Sequence, residues 1–302
     1  MLIEDSEFEL WIPSLELLFL QSFEKSPPRG LIEWRYLLGP VDRILFAFEM
    51  QNERLISSYS LSPQVMCDEG VQFETALSMT TMTHPDFQGR GLFPKLASEL
   101  YASIEESFGF AYGFPNPKSR GIFSKKLGWE SIYEVPTLVL REGKGVVSSR
   151  VKECTRIDRP IQEPTWLESF VHVCRDNNYV NWRFSTHPSN KYTMFTIEEQ
   201  GNVVSYAVVK QFHESWDLVD FVPQDDSDAG EILSHIIESA MSSGTNQINT
   251  WHPIHSPFRI LFEKTGFSNE GPVTYFGGRS LNKQVPRDWS RWYVQMADSD
   301  VY

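Results

Sequence analysis

Cysteines, basic residues and long apolar runs are all scarce in this sequence. Its 302 residues include only three cysteines, Cys67, Cys154 and Cys174, which form no C-x-x-C pair. This spacing indicates neither a disulfide framework nor a zinc site, so we expect reduced thiols and no bound metal. No apolar stretch reaches the length of about 18 residues that a membrane span needs. The acidic first residues also lack the basic stretch of a signal peptide, so we expect a cytoplasmic location.

Basic residues are also too few to balance the acidic ones. There are 27 Lys and Arg residues against 40 Asp and Glu residues, which gives a formal net charge of −13. Because nucleic acids are held through clusters of Lys and Arg, this excess predicts no nucleic-acid partner. Hydrophobic residues nevertheless make up 41% of the chain and charged residues 22%, which is typical of folded domains rather than disorder.

The two halves of the chain contain similar patterns in the same order. Each has a Trp-Arg-aromatic segment, then two strand-like runs around a polar turn, and later a helix that ends at glycine. The matching segments are 32–36 with 180–184, 44–61 with 192–209, and 123–129 with 261–267. Small and polar residues at 143–149 have the composition of a linker. The repeat therefore predicts two copies of one α/β unit, at 1–145 and 146–302.

Residues 71–104 read as a strand, a glycine turn and a helix. The strand pattern covers 71–83, the turn is Gln88-Gly89-Arg90-Gly91, and apolar residues then recur at helical spacing. The first amides of a helix have no partner within the helix, and its dipole favours anions there. Glycines also let a ligand approach the backbone closely. The segment therefore predicts a pyrophosphate site, with a plain tight turn as the alternative.

This segment resembles the signature of the GCN5-related N-acetyltransferase (GNAT) superfamily, Gln/Arg-x-x-Gly-x-Gly/Ala. Residues 88–93 read Gln-Gly-Arg-Gly-Leu-Phe, so Phe93 departs from the last position. The resemblance continues to Asn116, at the start of a helix that ends at Leu127-Gly128-Trp129. It covers about 30–140 and implies an α/β (α+β) fold of the tandem-domain bacterial type. Each GNAT-like domain would contain a mixed, mostly antiparallel sheet flanked by helices.

The resemblance also implies the cosubstrate acetyl-CoA and a set of site residues. The candidates for binding it are Met82, Thr83, Gln88, Gly89, Arg90, Gly91, Leu92, Phe93 and Asn116. The backbone N–H groups of Met82 and Thr83 would stabilise the acetyl oxygen. Glu74 is the candidate general base, although a solvated strand Glu is the alternative. Tyr112 and Ser124 are candidates for protonating the leaving thiolate, and Ser124 stands where the family usually has a Tyr.

Other charged segments are interpreted differently. His84 lies beside the glycine turn and is interpreted as a loop histidine, with a general base as the alternative. Carboxylates at 225, 226 and 228 occupy the equivalent turn of the second half and would repel a pyrophosphate, so we expect only the first half to bind acetyl-CoA. His252 and His255 flank a proline and are interpreted as loop residues rather than metal ligands. The segment 298–300 is expected to be a solvated tail.

The resemblance implies an acetyl-CoA-dependent N-acyltransferase, that is, an acetyltransferase acting on a primary amine. Its partner would be a small-molecule amine, for example an amino sugar, and an acidic protein suits a cationic amine. Two alternatives remain open: a tRNA-dependent aminoacyltransferase of the tandem GNAT type, and a non-catalytic acyl-CoA sensor. Whether the protein forms a homodimer is also left open.

Overall fold

The computed structural model describes residues 7–302, which divide into two compact units. Of the described residues, the first unit comprises 7–66, Gln72–Tyr133 and Tyr275–Arg287, and the second comprises Cys67–Val71, Glu134–Thr274 and Asp288–Tyr302. Each unit thus includes a segment that is distant in sequence from its main stretch. The boundary between 145 and 146 was drawn from linker composition and stays a prediction.

The first part of the chain begins with two helices and continues with strands and helices. They are α1 (Phe8–Phe23), α2 (Leu31–Tyr36), β1 (Leu45–Gln51), β2 (Arg54–Asp68), β3 (Val71–Thr83), α3 (Leu92–Ile104), β4 (Phe110–Gly113), α4 (Pro117–Lys126) and β5 (Glu130–Leu140). The predicted strand at 71–83 and the helix after the glycine turn are confirmed.

The remaining elements begin with two short strands, and from α5 onwards they repeat the order seen from α2 to β5. They are β6 (Lys152–Cys154), β7 (His172–Val173), α5 (Asn177–Val180), β8 (Tyr192–Glu199), β9 (Asn202–Phe212), β10 (Ser215–Val222), α6 (Asp226–Ser242), β11 (Gln247–Trp251), α7 (Arg259–Thr265) and β12 (Ser268–Ser280). Short helical turns add to these, including one over Asn181–Ser185. Among the described residues, none of the helices is both long and apolar enough to cross a membrane.

The sheet of the first unit has the strand order β1, β2, β3, β4, β12. β1 and β2 form a hairpin, and Asn52 and Glu53 at its tip have φ angles of 50° and 61°. Such left-handed pairs match the twist of a two-residue hairpin loop. β3 and β4 are parallel, and β4 pairs antiparallel with the part of β12 that belongs to this unit. The apolar stripe of α3, including Leu96 and Leu100, is buried in the core of this unit.

The sheet of the second unit has the order β5, β11, β10, β9, β8, β6. β10 and β11 are parallel, whereas the other pairs are antiparallel. The buried face of α6, including Ile232, Leu233 and Ile236, packs in its core. Both units thus have a mixed, mostly antiparallel sheet with flanking helices, which confirms the predicted fold class.

The expectation that no disulfide forms was wrong. Cys67 and Cys174 are bonded, 107 residues apart in sequence and with their Cα atoms 5.7 Å apart. The pairing depends on the tertiary fold, so cysteine spacing gives no indication of it. Cys154 remains a thiol, and its burial raises its pKa.

The expected solvated tail is also a buried part of the second unit. Asp298 is 4% exposed and accepts a hydrogen bond of 2.9 Å from Arg175, which also pairs with the buried Asp220 at 3.0 Å. Arg183, from the second Trp-Arg segment, donates to the carbonyl oxygens of Ser299 and Tyr302. Buried arginines need hydrogen-bond acceptors, and the oxygen atoms of the last residues provide them. These residues are therefore packed into the second unit.

Candidate functional site

The turn before α3 has the geometry of an anion site. Gly89 and Gly91 both have φ of 74°, and a Cβ atom at either position would meet nothing within 4 Å. The glycines are thus required by backbone conformation, and the space beside them is open. Gly91 is the N-cap of α3, no acidic residue lies in the first turn, and Pro94 has no N–H. The helix therefore presents the amides of Leu92 and Phe93 without an internal partner.

Polar side chains around the turn fix its shape and keep a positive charge beside it. The Gln88 side-chain amide donates to the carbonyl of Thr83 at 3.2 Å, which ties the turn to the end of β3. Arg90 donates to the carbonyl of Asp86 at 2.8 Å, and its guanidinium carbon lies 4.7 Å from the ring centre of Phe87. Both Gln88 and Arg90 remain exposed. The predicted residues of the turn are therefore brought together with Thr83.

Phe93, the departure from the signature, points away from the turn. Its ring centre lies 5.5 Å from that of Tyr59 and 5.1 Å from that of Phe123, within the core of the first unit. Only its backbone amide is at the helix N-terminus. The large side chain is therefore compatible with an open turn.

The end of β3 extends beyond its parallel partner. The last registered pair joins Leu77 and Tyr112; β4 ends at Gly113, whereas β3 continues to Thr83. Within this extension Thr80 has φ of 43°, a left-handed value that is a genuine outlier for a β-branched residue. Such strain concentrates at ligand sites. The structure thus places Met82 on a stretch of strand that has left β4, and its role at the acetyl oxygen stays a prediction.

A surface opening lies beside this stretch, and sequence reasoning missed it. Its lining includes Leu15, Phe19, Arg35, Tyr36, Thr80 and Met82. The wall is mainly apolar. Arg35 lies with its guanidinium carbon 5.0 Å from the Trp34 ring centre, and the hydroxyl of Tyr36 is 2.7 Å from that of Ser60. The Trp-Arg-Tyr motif was the only signal in the sequence, and packing of the arginine against an aromatic ring explained it without a ligand site.

Glu74 lies at the other end of β3. It forms a 3.1 Å ion pair with Arg43, and both side chains are substantially exposed. Eight residues separate it from Met82, which corresponds to about 26 Å along an extended strand. The structure therefore does not bring Glu74 to the glycine turn, and its role as a base stays a prediction.

His84 lies at the start of the short helical turn after β3, and its side chain is held by a neighbouring arginine. It is buried, and its Nε2 lies 2.6 Å from the Arg54 guanidinium. Because Arg54 can only donate, that nitrogen is an acceptor.

The three remaining candidates lie on β4 and α4. Asn116 is the N-cap of α4, and its side-chain oxygen accepts the N–H groups of Lys118 and Ser119 at 2.9 and 3.0 Å. Ser124 is exposed, donates to the Arg120 carbonyl at 3.1 Å, and lines a surface opening of the first unit. Tyr112 is buried in β4. Asn116 thus has a capping role, and only Ser124 of the two thiolate-side candidates is exposed.

A buried tyrosine pair holds α3 against the sheet. The hydroxyls of Tyr59 on β2 and Tyr101 on α3 are 2.5 Å apart, and Trp129 donates to Tyr101 at 3.0 Å. Burial raises the pKa of both tyrosines, so they remain neutral hydrogen-bonding groups. The helix that carries the open amides is therefore fixed in position.

The equivalent helix of the second unit supplies its own anions. Asp225 is the N-cap of α6 and accepts the N–H of Asp228 at 3.0 Å. Asp228 is buried, accepts a 2.6 Å hydrogen bond from Ser205, and pairs with Arg150 at 3.1 Å. Carboxylates of the chain thus surround this N-terminus.

Comparison with known proteins gives a family for the first part of the chain. Residues 2–132 match the acetyltransferase (GNAT) domain family. A search of curated proteins found no match.

Solved structures resemble nearly the whole chain at low sequence identity. A conserved protein of unknown function from Enterococcus faecalis V583, described as a probable N-acyltransferase, has 13% identity and a TM-score of 0.67, with 94% of this chain and 73% of that chain covered. A GCN5-related N-acetyltransferase from Anabaena variabilis has 12% identity and a TM-score of 0.65, covering 92% and 71%. Eis1 from Mycobacterium abscessus has 12% identity and a TM-score of 0.59, covering 93% and 73%. At these identities the likeness shows the fold.

Proposed function

We propose that the protein acetylates a primary amine of a small molecule, using acetyl-CoA bound by the first unit, because residues 2–132 match the acetyltransferase (GNAT) domain family. The observation that carries this proposal is the glycine turn, where two left-handed glycines lead into a helix whose first amides are open. The acidic, internally capped N-terminus of α6 supports the first unit as the sole acetyl-CoA site.

The residues present fit a bound acetyl-CoA. Its pyrophosphate would accept hydrogen bonds from the amides of Leu92 and Phe93, with Arg90 adding positive charge. Acetyl-CoA supplies an activated thioester carbonyl when it is bound. Beyond Leu77, where β3 has left β4, the N–H groups of Met82 and Thr83 are our candidate donors for the charge that develops on the acetyl oxygen. Consecutive amides of a strand point to opposite edges, so one of the two would face away from β2.

The opening lined by α1, α2 and β3 is our candidate for the acceptor site. It lies beside Met82 and Thr80, so an amine held there would be next to the strand that polarises the acetyl group. Its apolar wall favours an amine carried by a hydrophobic or aromatic group. An amino sugar would rely on the polar atoms of Arg35 and Tyr36, and it remains the second acceptor class to test.

Turnover over a panel of amines tests this proposal. Purified protein is mixed with acetyl-CoA and hydrophobic amines, amino sugars or buffer alone, and CoA release and product mass are measured. We expect amine-dependent CoA release with an acetylated product. Tight binding of acetyl-CoA without release by any amine would instead support the sensor, and dependence on charged tRNA would support the aminoacyltransferase. The cytoplasmic location and a homodimer stay predictions.

A further inference from the structure

Four potential metal ligands meet in the second unit, away from the glycine turn in sequence. One ligand atom each of Cys67, Glu163 and His172 lies within 4.8 Å of the other two. Cys174 adds a fourth, because its sulfur is bonded to that of Cys67. Both cysteines and His172 are buried, whereas the Glu163 side chain is 40% exposed. The cluster therefore has a solvent-facing side.

The surroundings orient His172 as a ligand. Its Nδ1 is 2.9 Å from the carbonyl oxygen of Phe170, which can only accept, so Nδ1 donates. Its Nε2 faces the carboxylate of Glu163 at 2.7 Å. A histidine that donates one ring nitrogen to a backbone carbonyl and directs the other into the site is the usual arrangement around protein-bound zinc.

The distances suit a small tetrahedral ion after reduction. Zinc bonds of about 2.0–2.3 Å place neighbouring tetrahedral ligand atoms about 3.3–3.8 Å apart. The Glu163 carboxylate and Nε2 of His172, 2.7 Å apart, must separate slightly to admit an ion, which rotation of the exposed Glu163 side chain allows. The remaining ligand atoms lie within 4.8 Å of one another and must approach by at most about 1 Å. The Cα atoms of Cys67 and Cys174, 5.7 Å apart, keep both sulfurs within reach of one ion once the S–S bond is broken.

We infer that the reduced protein binds one zinc ion through Cys67, Cys174, His172 and Glu163, so that the metal and the disulfide are alternative cross-links at one place. Two thiolates, one imidazole and one carboxylate form a ligand set of the type that zinc prefers. The neighbouring Arg175 does not compete for the thiolates, because Asp220 and Asp298 accept its hydrogen bonds.

The exchange between the two cross-links balances with a dithiol reductant. Two electrons and two protons from the dithiol convert the S–S bond to two thiols, and the dithiol becomes a disulfide. Zinc then replaces the two thiol protons, and any proton on Nε2 of His172, which leave to solvent. No redox change occurs at the metal.

Cobalt and zinc binding to the full chain test the inference. Metal-free protein is reduced with a water-soluble phosphine, which is oxidised to its phosphine oxide, and titrated with Co²⁺ without oxygen. We expect one Co²⁺ per chain with the visible bands of tetrahedral coordination and a thiolate charge-transfer band. Zinc should displace the cobalt. The oxidised protein should show neither band.

Variants identify the ligands. We expect Glu163→Gln and His172→Asn each to weaken zinc binding, measured by competition with a chromophoric chelator, by at least about tenfold, since even indirect partners cost 10–100-fold. Cys154→Ser is the matched control, because it removes the cysteine outside the cluster and should leave binding unchanged. The inference is overturned if the reduced protein binds no metal, if the oxidised protein gives the same spectrum, or if Glu163→Gln, at an exposed position, binds normally.

Discussion

At the residue scale, the glycine turn shows how backbone conformation and ligand access depend on the same positions. Gly89 and Gly91 both have left-handed backbones, which cost a residue with a side chain about 1 kcal/mol or more. The open space around them means that substituting a side chain tests access to the helix amides rather than core packing.

We expect Gly91→Glu to abolish acetyl-CoA binding in a folded protein. The new carboxylate would lie at the N-cap of α3, where it would both cover the amides and repel a pyrophosphate. Isothermal titration calorimetry with acetyl-CoA measures the loss, and circular dichroism checks the fold.

Gly70→Glu is the control for this substitution. Gly70 has φ of 75°, is equally open and lies in the turn between β2 and β3, so it adds the same charge and the same backbone strain elsewhere. It should bind acetyl-CoA as the wild type does. Equal affinity in Gly91→Glu and the wild type would remove the phosphate role of the turn.

Substitution of Glu74 separates a base from a surface ion pair. Glu74 pairs with Arg43 and lies about 26 Å from Met82 along the strand. We therefore expect Glu74→Gln to retain turnover within about twofold and to keep the pH–rate profile of the wild type. A large loss of kcat together with the loss of one limb of the profile would establish Glu74 as the base.

At the element scale, α3 shows that the backbone and the side chain of one signature position have different surroundings. The helix begins at Leu92, directly after the glycine turn, and its buried residues recur at the helical spacing seen in the sequence. Phe93 has its backbone amide at the helix N-terminus, while its partly buried side chain packs against the core of the first unit.

We expect Phe93→Ala to lower the free energy of unfolding by about 2 kcal/mol, because it removes a partly buried ring from contact with Tyr59 and Phe123. Affinity for acetyl-CoA should change by less than about threefold, although the variant restores the family's small residue. Urea unfolding and calorimetry measure the two effects. A marked gain in affinity would mean that the ring obstructs the turn.

The loop between β11 and α7 gives the fold a defined pH dependence. His252 is fully buried and stacked 4.1 Å from Phe262, and burial, with the charge of Arg259, lowers its pKa to about 3. Below the usual value of about 6.5, the unfolded chain therefore binds a proton that the folded one does not. Stability contributed by neutral His252 is complete above pH 6.5 and is lost as the pH falls towards 3.

His252→Phe should remove this dependence while keeping the stacking. Between pH 7.5 and 5.5 the wild type should lose about 1.4 kcal/mol more unfolding free energy than the variant. Urea unfolding at the two pH values gives the difference. Equal losses in both proteins would show that His252 is protonated in the folded state.

At the scale of the whole molecule, each unit depends on a segment that the repeat does not assign to it. The sheet of the first unit includes residues 275–280, where Gly277 pairs with Gly113 and a Cβ atom on Gly278 would lie 2.8 Å from the Ala111 carbonyl. Without this strand, β4 would pair only with β3 and would form an unprotected edge of the sheet. Its four residues are all buried in the structure.

We therefore expect the fragment 1–145 to lack cooperative unfolding and to aggregate. The same fragment joined through a flexible Gly/Ser linker to 272–287 should regain a single unfolding transition and remain monomeric. Circular dichroism during urea unfolding and light scattering measure both properties. A cooperative, monomeric fragment 1–145 would show that the first unit folds without the distant strand.

The sequence by itself determined the local structure. Alternating and helical periodicities predicted β3, α3 and the two hairpins, because the backbone conformation of a short segment is governed by its own residues. The left-handed glycines and the open amides of the turn follow from the same local chemistry. Most of the candidate site at the glycine turn could therefore be predicted before the fold was known.

Only the tertiary structure decided which distant segments meet. It joined Cys67 to Cys174, buried Asp298 against Arg175, placed Arg35 and Thr80 around one opening, and gave the strand 275–280 to the first unit. Each of these depends on contacts between residues far apart in the chain. Such contacts form where burial and hydrogen bonding together outweigh the entropy of closing long loops, and no short stretch of sequence contains that balance.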